Sequence, residues 1–310
     1  MSRPPSTLDR SGNPRETVSL LKAALAILFW GGSFVATKIA LRDLSPVALV
    51  WVRFALGLVV LGIIVKARRQ LRPIPPRDLG YFTLLGFLGI TFHQWLQSNG
   101  LLTSQATTTG WIVSTSPLFI AILGWIFLRE RLGWGGIAGI VIATLGVLLV
   151  VARGEIGSMF AFRMGAPGDA LIMVSAVNWA VFSVLSRAGL KRHPAALMMF
   201  YVMLLGWVLT TVLFVAGPGV HGLMHHFSGP GILAILFLGP ICSGIAYSFW
   251  FDALEHMPAA RVGAFLYIEP LVTVAVAGCL LGEPVRVGTM VGGSIILLGV
   301  WLVNRERPKA

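Results

Sequence analysis

Acidic side chains are scarce in this sequence, with twelve Asp and Glu among 310 residues against 24 Lys and Arg, and charged residues of both signs amount to 12%. A soluble domain carries about a quarter, so the chain has too little charge to coat a water-facing surface. Cysteine is nearly lacking too. Cys242 and Cys279 both fall inside apolar runs, which argues against a disulfide framework or a cysteine metal site and leaves buried structural thiols as the expectation. No HExxH, GxSxG or GxxxxGK[ST] pattern occurs. A zincin, a nucleophile elbow and a self-contained nucleotide-driven pump are thereby excluded, and no enzyme activity, catalytic residue, metal or cofactor is expected.

What the sequence does contain is apolar length, 56% of it hydrophobic. A crossing takes about 20 residues to traverse roughly 30 Å of hydrocarbon. Runs bounded by Pro, Gly or charge fall at 19–40, 46–65, 79–98, 107–128, 133–152, 168–186, 195–216, 230–251, 258–281 and 285–303. They predict an all-α membrane protein of ten transmembrane helices, with polar tails at 1–18 and 304–310. The first run is too long for a signal-peptide core and has no small-residue cleavage site, so it is expected to be retained. Threaded this way, eighteen Lys and Arg fall on one side and four (Arg42, Arg153, Arg163, Arg286) on the other, with Lys38 and Arg53 inside spans. Such a bias predicts both termini in the cytoplasm. The net charge of +12 therefore concerns orientation in lipid, and nucleic acid is not an expected partner.

The chain also repeats itself. An offset of 153 pairs Pro117 with Pro270, Glu130 with Glu283, Gly139 with Gly292 and Gly146 with Gly299, and residues 117–150 share twelve identities in 34 positions with 270–303. This points to an internal duplication. Upstream the offset pairs Gly86 with Gly239, then slips by a few residues to pair Trp30 with Trp179 and Lys38 with Arg187. Each half, 19–152 and 168–303, holds five predicted helices. Five is odd, so the halves are expected to cross the membrane in opposite senses. Inverted repeats of this kind recur in secondary transporters, with the substrate site between the halves.

The stretches WGGSFVATKIAL, SPLFIAILGWIFLRERL, GDALIMVSAVNWAVFSVLSR and ALEHMPAARVGAFLYIEPLVTVAVAGCLLGEPV resemble the EamA branch of the drug/metabolite transporter superfamily. The resemblance runs from about residue 19 to 304. It implies two duplicated five-helix units in a bacterial inner membrane and the export or exchange of small metabolites, amino acids often among them. The expected partners are a small-molecule substrate and membrane lipid, with oligomeric state open. A zwitterion suits a site with polar groups, aromatic walls and one carboxylate. The alternatives are an exchanger of anionic metabolites using Lys38 and Arg53, a passive channel, or an intramembrane enzyme.

Glu269 is the carboxylate deepest in a predicted span, roughly 16 Å below the entry at Pro258. A charge there marks a functional site by default. It is a candidate for proton coupling or for contacting a substrate amine, against a structural role locking helices together. Its repeat equivalent is Ser116, also beside a proline. The run 79–98 places His93 and Gln97 on a small, polar face with Gly86, Gly89 and Gly100; His93 is a candidate substrate contact or proton relay, against a helix-bridging role. Trp30 with Ser33 and Thr37, and Ser175 with Asn178 and Trp179, occupy matched depths in the two halves, and the tryptophans there are too deep for interfacial anchoring. They are candidate cavity walls, with core packing the alternative. Trp111, Ser114, Tyr247 and Trp250 are further candidates of this type. Lys38 and Arg187 are expected to snorkel to the interface, Arg53 to serve a structural ion pair, Glu130 and Glu283 to cap or pair at turns, and Gly135 with Gly139 and Gly288 with Gly292 to allow close helix contact.

Overall fold

The computed structural model describes residues 14–128, 133–153, 165–217, 227–257, 262 and 264–305. Among them the elements are all helical: α1 (Pro14–Ala40), α2 (Pro46–Ala67), α3 (Pro76–Gly86), α4 (His93–Gly100), α5 (Ala106–Val113), α6 (Ser116–Leu128), α7 (Trp134–Val151), α8 (Pro167–Leu190), α9 (Ala195–Ala216), α10 (Gly229–Leu236), α11 (Ala246–His256), α12 (Glu269–Leu281) and α13 (Val287–Arg305). Wider π-turns at Phe87–Phe92 and Phe237–Ile245 join α3 to α4 and α10 to α11, and a 3₁₀ turn at Ala264–Tyr267 precedes α12. Six stretches are long and apolar enough to cross a membrane: 16–40, 46–67, 134–151, 167–190, 195–216 and 229–256. The chain is a multi-pass membrane protein. The other predicted runs correspond to α3 with α4, to α5 with α6, to the 3₁₀ turn with α12, and to α13. Glu130, His225 and Arg261 lie outside the described residues.

Four of the ten predicted runs are interrupted, for physical reasons. Pro117 has no N–H for the carbonyl of Val113; the Ser116 hydroxyl donates to it instead at 2.7 Å, while Ser114 and Thr115 bond Trp111 O and Ile112 O. The chain turns there, and α6 begins afresh. Pro270 marks the equivalent break before α12. In the π-turn at 237–245, Pro240 again removes a donor, whereas in the turn at 87–92 the carbonyl of Leu88 is taken by the Asn178 amide at 2.7 Å. Irregular backbone in a membrane protein survives where protein groups satisfy it in this way.

The surface is inside-out relative to a soluble fold. Val59, Ile63, Val212, Leu233 and Leu280 are exposed, while Ser33, Thr37, Gln94, Gln97, Thr109 and Ser175 are buried. Lipid tails are as apolar as leucine, so the outer face loses nothing by staying uncovered. Cys242 is buried as expected, but Cys279 is exposed. An apolar run does not distinguish the packed face of a membrane helix from the lipid face, which explains that difference.

Contacts between the halves come in reciprocal pairs. The π-turn at 237–245 lies on α2 and that at 87–92 on α9; α1 packs on α11 and α12, and α8 on α4, α5 and α6; α7 packs on α13. Glycines let the backbones touch. A Cβ on Gly86 would fall 2.6 Å from Val202 O, and one on Gly239, its equivalent, 3.1 Å from Arg53 O and 2.6 Å from Leu56 Cβ. Likewise a Cβ on Gly146 would fall 2.7 Å from Gly292 O, and one on Gly299 2.6 Å from Gly139 O. Gly139 and Gly292 thus spend their close approach inside the chain, between α7 and α13.

Candidate functional site

The α6 and α12 half-helices both start at one narrow cavity of about 60 Å³, room for a few waters. Ser116 and Glu269, the first residues of the two helices, both border it. Trp30 from α1 and Trp179 from α8 stand on its walls, edge to face with centroids 6.4 Å apart. Trp30 also meets Tyr247 at 5.3 Å and Trp250 at 5.4 Å, and its indole N–H donates to Cys242 O at 3.1 Å. That hydrogen bond sets the ring angle, because a buried indole donor needs a partner.

Polar groups from α2, α4 and α12 complete the lining. Arg53 of α2 is 5% exposed; its Nε donates to Ser243 Oγ at 2.8 Å and its Nη1 to Gln94 Oε1 at 3.1 Å, and the guanidinium lies 5.4 Å from the Phe54 ring. Among the described residues no carboxylate pairs with it, and both acceptors are neutral. His93 packs its ring 5.0 Å from Trp179, and its Nδ1 has no hydrogen-bond partner among the described residues. Glu269 is 6% exposed, and among the described residues no hydrogen bond or ion pair reaches its carboxylate.

Of the residues singled out from the sequence, Trp30, Ser33, His93, Gln97, Trp179, Tyr247 and Glu269 border the cavity. Trp250 lies behind Trp30. Trp111 packs against α13 where Gly293 makes room, in a separate apolar cluster with Leu118 and Ile296, and Ser114 bonds its carbonyl. Asn178 serves the π-turn. Phe34, Gln94, Val113 and Leu266 border the cavity without having been singled out. The repeat offset carried the missing signal, since 153 pairs Gln94 with Tyr247 and Val113 with Leu266.

A second polar cluster closes one end of the bundle. Glu283, in the turn between α12 and α13, accepts from the backbone N–H groups of Ala106 and Thr107, each at 2.9 Å, and so caps α5. Lys38 does not snorkel outward: its Nζ donates to Ser104 O and lies 3.7 Å from Glu283. Elsewhere Asp252 binds Lys22 and Arg68, and Asp78 binds Arg192 and His193. None of these six groups borders the cavity.

Comparison with known proteins places this arrangement among transporters. The sequence model of the EamA-like transporter family matches two stretches, residues 17–152 and 166–305. An "uncharacterized transporter" of Archaeoglobus fulgidus is 30% identical over 286 residues, covering 92% of this chain and 98% of that one. A "probable terminal-alkyne amino-acid exporter" of Streptantibioticus cattleyicolor is 27% identical over 285 residues, covering 91% and 92%. A solved crystal structure at 20% identity shares the fold with a TM-score of 0.66, over 92% of this chain and 96% of that one.

Proposed function

Because the chain belongs to the EamA-like transporter family, we propose that it is a secondary active transporter that exports or exchanges small metabolites, amino acids above all, by alternating access between two inverted five-helix halves. The observation that carries the reading is the composition of the cavity. Four pairs of equivalent residues border it, one from each half: Trp30 with Trp179, Gln94 with Tyr247, Val113 with Leu266, and Ser116 with Glu269. A site on a pseudo-two-fold axis between repeats has this composition, and in secondary transporters it opens to either side as the halves rock.

Further support comes from the reciprocal helix contacts and from the two half-helices that begin at the cavity. The small volume fits an occluded form, because pockets enclosing drug-sized ligands run to about 300–1,000 Å³ and the walls must part to admit a solute. Cytoplasmic termini are supported by the Lys/Arg bias, and the resemblance to EamA transporters supports the inner membrane. The exporter relative, named for an amino acid, favours that substrate class. Exchange of anionic metabolites through Lys38 and Arg53 is disfavoured, since Lys38 is committed to Ser104 and Glu283.

The test is reconstitution in liposomes and counterflow of a labelled solute panel. Amino acids should accumulate transiently against their gradient in exchange for unlabelled solute, and phosphorylated solutes should not. Equilibration of solutes without counterflow would instead identify a channel. Glu269, unpaired among the described residues and at a half-helix start, is the proposed coupling carboxylate. Glu269→Gln should abolish transport driven by a pH gradient while leaving substrate exchange measurable, and full transport with unchanged pH dependence would remove it from that role.

A further inference from the structure

The cavity is built symmetrically but charged asymmetrically. Under the offset of 153 the counterpart of Glu269 is Ser116, and under the slipped offset that pairs Trp30 with Trp179 the counterpart of Arg53 is Val202. One cation and one carboxylate, each supplied by a different half, therefore border the same space. They do not neutralise each other, for no N···O distance between them falls within 4.0 Å.

Arg53 is held in place without being compensated, and Glu269 is left without a partner among the described residues. Ser243 and Gln94 engage the Nε and one Nη of Arg53, which orients the planar fork but supplies no negative charge. The other terminal nitrogen has no hydrogen bond among the described residues. Glu269 has no donor at all among them. A buried, uncompensated charge is costly, and a guanidinium fork matches a carboxylate with two parallel hydrogen bonds. The Trp30 and Trp179 rings border the same cavity and offer apolar faces.

We propose that Arg53 is the carboxylate-recognising residue of the cavity and that it works with Glu269 as a second pole, so that the site selects zwitterionic α-amino acids with apolar or aromatic side chains. This deepens the transporter reading above and rests on it. A zwitterion satisfies both poles at once. An amine lacking the carboxylate leaves Arg53 uncompensated, and an acid lacking the amine leaves Glu269 so. Selectivity then comes chiefly from the penalty on the wrong solute.

The experiment is competition in counterflow by the full-length protein in liposomes, using labelled phenylalanine against unlabelled phenylalanine, phenethylamine and 3-phenylpropionate. The wild type should be inhibited best by phenylalanine. Arg53→Gln should weaken phenylalanine by about ten- to a hundredfold, the size of a lost charge-assisted contact, while phenethylamine changes by less than about threefold. Arg53→Lys keeps the charge without the fork, so it should weaken phenylalanine less and still rank it above phenethylamine. That variant carries the test if Arg53→Gln does not fold. Equal weakening of phenylalanine and phenethylamine by Arg53→Gln, or no preference between them in Arg53→Lys, overturns the assignment of Arg53 while amino-acid transport stands. A wild type that counterflows other solutes of the panel but no amino acid overturns the transporter's substrate reading and the two poles with it.

Discussion

Replacing Glu283 by Ala removes the acceptor that closes the start of α5. The helix supplies no substitute, since Gln105 at its N-cap makes no side-chain capping bond. Ala106 and Thr107 are buried, at 0% and 4% exposure, so their N–H groups would be orphaned away from water. An unsatisfied buried donor costs about 1–3 kcal/mol, and loss of a cap by itself about 0.5–2 kcal/mol. The two donors together point to a loss of about 2–4 kcal/mol. Lys38 adds little, because it lies 3.7 Å away with its side chain 24% exposed and such pairs contribute about 0–1 kcal/mol. Glu283→Gln keeps one carbonyl acceptor and should cost about half as much as Glu283→Ala. Equilibrium unfolding in mixed micelles reads both, and a double-mutant cycle with Lys38→Met should show coupling below about 1 kcal/mol. If Glu283→Ala changes stability by less than about 0.5 kcal/mol, or if Ala and Gln are indistinguishable, the capping argument is wrong and α5 finds its acceptors elsewhere.

Gly146→Leu and Gly299→Leu should each destabilise by more than the roughly 1–3 kcal/mol typical of overpacking, because the added Cβ meets opposing backbone at 2.7 Å and 2.6 Å; Gly80→Ala, with nothing within 4 Å, should be neutral or stabilising by about 1 kcal/mol, and melting curves separate the three. Ala at Trp179, His93 or Gln97 should lower counterflow while leaving the melting temperature nearly intact. Trp30→Ala also forfeits the bond to Cys242 O and should lose stability as well as activity; a parallel loss of folding at all four would make them packing residues. Single cysteines beside Arg69 and His225, in a background without Cys242 and Cys279, should react with an impermeant reagent from opposite sides of the membrane, and labelling of both from one side would refute the inverted arrangement.

Much of the architecture was legible because it is one-dimensional information. Apolar length marks a helix that can cross lipid, the Lys and Arg bias argues for its direction, and a fixed offset exposes the duplication. Trp30 and Trp179 were found in this way, as was Glu269 beside Pro270. The offset also held Gln94 and Val113, but each is unremarkable until its equivalent is known to border a cavity. Trp111 and Asn178 show the opposite failing, since depth and residue type suit a wall as well as they suit packing or a backbone bond.

By itself the sequence determined an all-helical membrane chain, its two related halves, its scarcity of buried charge and the family it belongs to, since hydropathy and repetition need no knowledge of neighbours. Which polar group meets which was decided only by tertiary structure. Arg53 meets Ser243 across 190 residues, and Glu283 caps a helix 177 residues before it. Helical periodicity tells which residues share a face, and it says nothing about what another helix brings to that face. In a membrane interior the distinction is sharp: an apolar face can rest on lipid or protein alike, whereas a buried polar atom is stable only where the fold delivers a partner or a cavity.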